Sequence, residues 1–210
     1  EPSSKYIIHI FGRCEDGKSV YMKVINYTPF FYLGLPWDKK TSKKNIKKIK
    51  QYLYGLKKWE ISKNINSLLN IDFVQKKSAE GFTNDKIFNY ARLVFDNAWA
   101  MRKFRSHFEE QGLYISSIQR TPIYFKTYEA NLPPMLRCFH IRKISGCSWV
   151  KIDNYVEIEY NKKSYCDIEI IGDWRCLNPV KKEFNAPLRI ASFDIECYSH
   201  DGQFPQAKRE

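Results

Sequence analysis

The order of strand-forming and helix-forming segments between residues 30 and 118 constrains the fold more than any other feature of the sequence. Apolar residues recur at helical spacing after Thr41 and Ser42, and again after Asn97, and all three residue types can cap a helix. Runs rich in β-branched and aromatic residues lie before, between and after these two segments, at 30–33, 70–77, 88–95 and 113–118. The sequence therefore predicts the order β-α-β-β-α-β, a split βαβ unit.

Further strand-type segments lie on both sides of this unit. An Asp-Gly turn predicts a hairpin near the N-terminus, and three strands are predicted after residue 146. The predicted strands are 5–12, 19–26, 148–152, 156–160 and 165–171. Together they would form an OB-like β-barrel, into which the βαββαβ unit of RNA-recognition-motif or ferredoxin-like type is inserted, so the predicted fold class is α+β.

The same pattern predicts a domain division. Residues 1–187 are predicted to form one domain, with barrel strands within 5–29 and 146–171 and the inserted unit at 30–118. Residues 172–187 contain glycine, asparagine and prolines and are predicted to be a linker. A strand at 188–193 is then predicted to begin a second domain, at 188–210.

Two carboxylates follow this last predicted strand. Asp194 and Glu196 are spaced i, i+2, which places both on one face of an extended chain. Such a pair can hold divalent cations through oxygen ligands, as two-metal sites that cleave phosphodiesters require. Two exposed acids on a strand edge explain the same residues, because Asp-x-Glu is a common pattern.

The residues around this pair resemble the first exonuclease motif of family B DNA polymerases. The run 186–209 is most similar to the delta-type enzymes of eukaryotes and large DNA viruses, in which Phe-Asp-Ile-Glu-Cys precedes Gly-x-Phe-Pro. Three upstream segments also resemble that family in order: Pro29-Phe-Phe-Tyr32, Tyr128-Glu-Ala-Asn131 with Leu136-Arg137, and Gly146-Cys-Ser-Trp149. The resemblance implies a polymerase N-terminal domain at 1–187 and the first strand of a 3′–5′ exonuclease domain, truncated just after its first motif.

The resemblance also implies roles for the carboxylates. Asp194 and Glu196 would be the first two metal ligands of a proofreading site that uses Mg²⁺. The family's remaining acidic ligands lie downstream in Asn-x-x-x-Phe/Tyr-Asp and Tyr-x-x-x-Asp motifs, and neither follows in this sequence. We therefore expect the chain to be inactive and to need no cofactor by itself. The parent would be a DNA-directed DNA polymerase with 3′–5′ exonuclease activity.

Charge and aromatic residues suggest a nucleic-acid partner. The 35 lysines and arginines exceed the 23 acidic residues, and the net charge of +12 favours a polyanion. The segment Asn89-Tyr-Ala-Arg-Leu-Val-Phe95 partly fits the pattern by which RNA-recognition motifs stack bases. The predicted nucleic-acid contacts are Tyr90, Arg92, Phe95, Lys43, Lys44, Lys47 and Arg137. Core packing of the aromatics and a solvated helix face for the lysines explain the same residues.

Other features restrict cofactors and location. The six cysteines form no Cys-x-x-Cys pair, which argues against structural zinc. No apolar run is long enough to span a membrane. The expected partners are single-stranded template DNA, the remainder of the polymerase chain, and a sliding clamp or accessory subunits. The expected location is intracellular, in the host nucleus or at a cytoplasmic viral replication site if the parent is viral.

The predicted function is that of a non-catalytic polymerase module, which braces the exonuclease domain and guides single-stranded template. A free-standing single-stranded nucleic-acid-binding protein is the alternative, although such a binder has no use for Asp194 and Glu196. A nuclease of the same acidic-site superfamily, without a polymerase, is a third class. The gene sequence beyond Glu210 distinguishes these three classes.

Overall fold

The computed structural model describes residues 5–55, 63–78, 81–196, 198 and 202–203. These ranges form a mixed α+β fold with few helices, and residues 204–210 of the predicted exonuclease segment lie outside them. The strands are β1 (Ile8–Arg13), β2 (Ser19–Ile25), β3 (Phe30–Gly34), β4 (Leu68–Lys77), β5 (Ile87–Phe95), β6 (Thr127–Tyr128), β7 (Trp149–Ile152), β8 (Tyr155–Glu157), β9 (Ile168–Asp173) and β10 (Leu177–Val180). The helices are α1 (Lys39–Gly55), α2 (Ala98–Glu110) and α3 (Pro134–Arg142).

One antiparallel sheet has the strand order β4-β5-β3-β6, and α1 and α2 cover one of its faces. Its core is dense in aromatic rings: Phe31 stacks on Phe95 at 5.6 Å between centroids, and Phe95 lies 5.2 Å from Phe104 of α2. Because side chains alternate along a strand, the other face of the sheet carries a separate set of residues.

Helix starts depend on local caps. Asn97 caps α2 as predicted, since its side-chain oxygen accepts a hydrogen bond from the Ala100 N–H at 2.8 Å. At α1 the cap is Asp38, whose carboxylate accepts from the N–H groups of Lys40 at 2.8 Å and Thr41 at 3.1 Å. The prediction that Thr41 or Ser42 caps α1 was therefore wrong, because the helix begins before them.

The predicted strand at 113–118 is absent. Leu113 makes only a single bridge, to Ile123, and the edge strand beside β3 is β6. Leu113, Ile115 and Ile123 are nevertheless buried in the core under the helices. Their alternating apolar pattern thus reflects burial of a loop, which periodicity alone does not distinguish from a strand.

The strands predicted for a barrel lie in two hydrogen-bonded sheets. The first has the order β1-β2-β9-β8, in which β2 and β9 pair in parallel, so the N-terminal hairpin does join later strands. In the second, β7 pairs with β10, which lies within the predicted linker 172–187. The linker prediction missed β10 because its anchor is tertiary: Leu177 is fully buried, and its carbonyl accepts from the Arg142 Nε of α3 at 2.7 Å.

The predicted strand at 188–193 has no regular secondary structure, and its apolar side chains Leu188, Ile190 and Phe193 are exposed. A strand needs a neighbour to satisfy its backbone N–H and C=O groups. No described strand lies beside this segment, so its β-type pattern does not produce a strand here.

Glu169 of β9 is a buried carboxylate that organises the preceding loop. It accepts hydrogen bonds from the N–H groups of Lys163 at 2.9 Å and Ser164 at 3.0 Å, and from the Ser164 hydroxyl at 3.0 Å. Burial by itself would raise the pKa of Glu169, but these donors and the charge of Lys162 outweigh it and hold the pKa below its usual value.

We expect Glu169→Gln to lower the Tm by several degrees at neutral pH, because all three donors point at the same carboxylate oxygen and a neutral amide forms weaker hydrogen bonds with them than a charged carboxylate does. A lowered folded-state pKa stabilises the fold at pH values above the unfolded pKa of about 4.3, and the stabilisation is lost as the pH falls through the folded-state pKa. The Tm values of the unsubstituted chain and of the Glu169→Gln variant should therefore converge as the pH is lowered. A gap that stays constant with pH would contradict this role, and the exposed Glu159→Gln serves as the control.

Candidate nucleic-acid interface

The sheet face opposite the helices, here called the outer face, carries aromatic and basic side chains. Register places Phe30 and Tyr32 of β3, Tyr90 and Arg92 of β5, and Lys76 of β4 on this face. Their sequence neighbours Phe31, Leu33, Ala91 and Leu93 point into the core and are fully buried. The period of two along each strand therefore separates the candidate interface from the packing residues.

Three tyrosines form a cluster on the outer face. The Tyr90 ring lies 6.1 Å from Tyr32 and 5.2 Å from Tyr128 between centroids, both edge to face. Tyr32 and Tyr90 are buried, whereas Tyr128 of β6 is half-buried. Gly34 makes room for the third ring, since a Cβ at this position would lie 2.9 Å from Cε2 of Tyr128.

Two arginines meet at one ring beside this cluster. The Cζ atom of Arg92 lies 5.8 Å from the centroid of Phe30, and that of Arg137, from α3, lies 5.2 Å from it. Arg92 also pairs with Asp72 at 2.8 Å, and Arg137 pairs with Glu129. The structure thus brings together two predicted contact residues that are far apart in sequence.

The two predicted aromatic contacts of β5, Tyr90 and Phe95, lie on opposite faces of the sheet. Phe95 is completely buried against Phe31 and Phe104, so base stacking by Phe95 is contradicted, and it belongs to the core. Tyr90 is on the outer face but only 5% exposed, which leaves little of its ring for direct stacking.

Lys43, Lys44 and Lys47 are exposed on α1, on the opposite side of the sheet from the tyrosines. Lys43 lies 5.6 Å from the ring of Phe73, which packs against the helix-side core. The predicted lysine contacts and the predicted β5 contacts therefore occupy two different surfaces.

Sequence reasoning missed Phe30, Tyr32, Tyr128 and Lys76 as members of one surface. Lys76 lies 4.8 Å from the ring of Tyr32. The alternation of β3 around buried Phe31 and Leu33 could have identified Phe30 and Tyr32 as partners on the opposite face. No sequence signal places the short strand β6 next to β3, so the position of Tyr128 required the structure.

Asp194 and Glu196 are exposed and lie in the unpaired segment after β10. The Asp194 carboxylate accepts a hydrogen bond from the Ile195 N–H at 2.8 Å. Carboxylate oxygens are the donors that Mg²⁺ prefers, so the pair fits this metal in ligand type. Within the part of the chain that the structure describes, no third His, Cys, Asp or Glu joins them to make a metal-binding group.

Among the described helices, none combines the length and apolar character that crossing a membrane requires.

Comparisons with known proteins give a consistent result. Residues 125–210 match the family model "DNA polymerase family B, exonuclease domain". A DNA polymerase of Acanthamoeba polyphaga mimivirus is 33% identical over 217 aligned positions, which cover 100% of this chain and 12% of that protein. The DNA polymerase delta catalytic subunit of Dictyostelium discoideum is 28% identical, with coverages of 97% and 19%.

A solved structure has a similar fold. The family B DNA polymerase of the archaeon Pyrobaculum calidifontis superimposes with a TM-score of 0.56 over 89% of this chain and 20% of its own, at 15% sequence identity. The chain therefore spans about a fifth or less of the length of these matched proteins.

Proposed function

The chain belongs to the family B DNA polymerases, and from this membership we propose that it forms a non-catalytic module placed ahead of the exonuclease active site. We assign residues 1–187 to a polymerase N-terminal domain and 188–210 to the start of the exonuclease domain. The family match begins earlier, at residue 125. The position of the boundary is supported by contacts on its two sides: the carbonyl of Phe184 still accepts a hydrogen bond from Trp149 Nε1 of β7 at 2.7 Å, whereas the apolar side chains of Leu188 and Ile190 are exposed.

The finer architecture is also part of the proposal. We assign the elements β3-α1-β4-β5-α2-β6 to an RNA-recognition-motif-like unit, and their order along the chain and the sheet order β4-β5-β3-β6 support this assignment. We interpret the surrounding strands β1, β2 and β7 to β10 as an open OB-like barrel interrupted by this unit. Their shared core, which includes Ile8, Met22, Ile170 and Leu177, supports that interpretation.

The module would guide single-stranded template DNA across the outer face. The observation that carries this role is the convergence of Arg92 and Arg137 on the Phe30 ring, next to the tyrosine cluster. Single-strand binders combine cationic groups that follow the phosphates with aromatic rings that contact the bases. Each guanidinium has five N–H donors, so its ion pair leaves further donors for phosphate oxygens.

The complete enzyme is proposed to perform templated DNA synthesis with 3′–5′ proofreading. In it, Asp194 and Glu196 would hold Mg²⁺ together with downstream acidic ligands, and the metal would stabilise the charge that develops on the scissile phosphate. We also propose that the complete enzyme binds a sliding clamp or accessory subunits. Its proposed location is the host nucleus or a cytoplasmic viral replication site. Reading the gene beyond Glu210 tests it, because two further exonuclease motifs and a palm with Asp-Thr-Asp should follow.

A free-standing single-stranded nucleic-acid-binding protein is the second candidate, favoured by the outer face alone. A gene that ends close to Glu210 would support this candidate and overturn the polymerase module.

We expect the chain to bind oligothymidylate weakly and with strong salt dependence. Each phosphate contact to a single strand contributes about 0.7 to the slope of log K against log salt. The double variant Arg92→Ala/Arg137→Ala should lower that slope by about 1.4 if both arginines contact phosphates. Fluorescence anisotropy across about 50 to 200 mM salt measures the slope.

The triple variant Lys43→Ala/Lys44→Ala/Lys47→Ala is the matched comparison on the opposite surface. It should lower the slope less than the double arginine variant does, because the strand is proposed to cross the outer face. A larger loss from the lysine variant would move the path to α1, and binding that does not depend on salt would overturn the guiding role.

A further inference from the structure

A pocket of about 440 Å³ opens on the outer face beside the tyrosine cluster. It lies between the end of β4 and the edge strand β6, and Tyr32, Tyr90 and Tyr128 line it. Its volume is within the range of about 300–1,000 Å³ that is usual for small-molecule sites. The pocket is thus large enough for a small aromatic ligand.

The aromatic part of the pocket is held in place. Tyr32 and Tyr90 are 4% and 5% exposed and are packed edge to face, so they form the buried base of the pocket. Tyr128 is half-buried, lies edge to face with Tyr90 and close to Gly34, and lines the pocket with the part of its ring that remains accessible. A planar ring that enters the pocket can stack on Tyr128 with little loss of side-chain entropy.

The polar part of the pocket is cationic and rich in hydroxyls. Lys76 and Lys77 line it at the end of β4, together with Ser78 and Thr127. Lys77 forms an ion pair with Asp85, at 2.7 Å between Nζ and Oδ1, whereas the ammonium group of Lys76 lies over the Tyr32 ring. Glu129 also lines the pocket, but its carboxylate pairs with Arg137, which compensates its charge.

From these groups we infer that the pocket binds one nucleotide unit, with its base on Tyr128 and its phosphate beside Lys76. An aromatic wall next to a cation matches a ligand that is planar at one end and anionic at the other. The unit can belong to a DNA strand or be a free nucleotide. Because the pocket opens on the outer face, the strand-bound form rests on the guiding role proposed above.

The test compares probes with and without a base. The probes are a fluorescent oligothymidylate, an abasic deoxyribose-phosphate oligomer of the same length and charge, and free thymidine monophosphate measured by calorimetry. We expect Tyr128→Ala to weaken binding of oligothymidylate and of the free nucleotide by about tenfold, because that is the usual effect of losing one stacked base. Binding of the abasic oligomer should not change.

Three further variants sharpen the comparison. Tyr128→Phe keeps the ring and should bind all three probes as the unsubstituted chain does. Tyr160→Ala removes an exposed tyrosine outside the pocket and should not change binding of any probe. Lys76→Ala should weaken all three probes, because it removes a phosphate contact, and should lower the salt slope for oligomers by about 0.7. Circular dichroism of each variant shows that it is folded, and the exposed Lys76 allows the test even if Tyr128→Ala does not fold.

The binding results distinguish a failure of the pocket assignment from a failure of the proposed guiding role. If oligothymidylate binds but neither Tyr128→Ala nor Lys76→Ala weakens it, the pocket assignment fails and the guiding role survives. If Tyr128→Ala weakens binding of the abasic oligomer as much as binding of oligothymidylate, the assignment of the base to Tyr128 is wrong. If only the free nucleotide binds, and Tyr128 is required, the pocket assignment holds and the guiding role fails. Absence of binding to all probes would overturn both.

Discussion

Replacing Phe95 by alanine is expected to lower the free energy of unfolding by about 3–5 kcal/mol, the usual cost of removing a buried phenylalanine ring. Phe95 is completely buried and lies between the rings of Phe31 and Phe104, one from the sheet and one from α2. Its loss would therefore leave a cavity at the junction of the two layers. Urea unfolding followed by circular dichroism measures the change.

Phe82→Ala is the matched control, because Phe82 is 98% exposed and its removal should alter the stability little. Phe95→Leu keeps most of the apolar volume and should cost less than Phe95→Ala. A stable Phe95→Ala variant with weakened DNA binding would contradict the burial of this ring and restore its role as a stacking residue.

The chain by itself is expected not to degrade single-stranded DNA with Mg²⁺ or Mn²⁺. Asp194 and Glu196 lie exposed in unpaired chain, and a two-metal site needs further ligands to fix both ions and the attacking water. In a polymerase that carries this segment, Asp194→Ala should lower 3′–5′ exonuclease activity by about a hundredfold or more, since the metal contributes several kcal/mol to transition-state stabilisation.

Polymerisation by the same Asp194→Ala enzyme should be retained, because the proposed palm site is separate. Glu183→Ala removes an exposed carboxylate upstream in the connecting segment and is the matched control for charge. Degradation by the isolated chain that Asp194→Ala abolishes would contradict the expected inactivity. Unchanged exonuclease activity in the Asp194→Ala polymerase would contradict the assignment of the metal ligand.

Local pattern was sufficient for most elements of the fold. The Asp-Gly turn predicted the β1–β2 hairpin, and Asn97 predicted the start of α2, because turn and cap chemistry depend on residues close in sequence. The alternation in β5 predicted a strand, although it did not tell which of its faces is buried. Phe95 was therefore assigned to the wrong face, and only its contact with Phe31 and Phe104 corrects this.

The family relationship was readable from the sequence by itself, because the Asp194–Glu196 motif and the segments before it are contiguous runs whose order needs no coordinates. Tertiary structure alone decided the positions of β6 and β10, the absence of a strand at 188–193, and the meeting of Arg92, Arg137 and Phe30. These features depend on pairing between residues that are remote in the chain. A short strand forms where a neighbour supplies its hydrogen bonds and a buried side chain holds it, so its location is a property of the packed molecule.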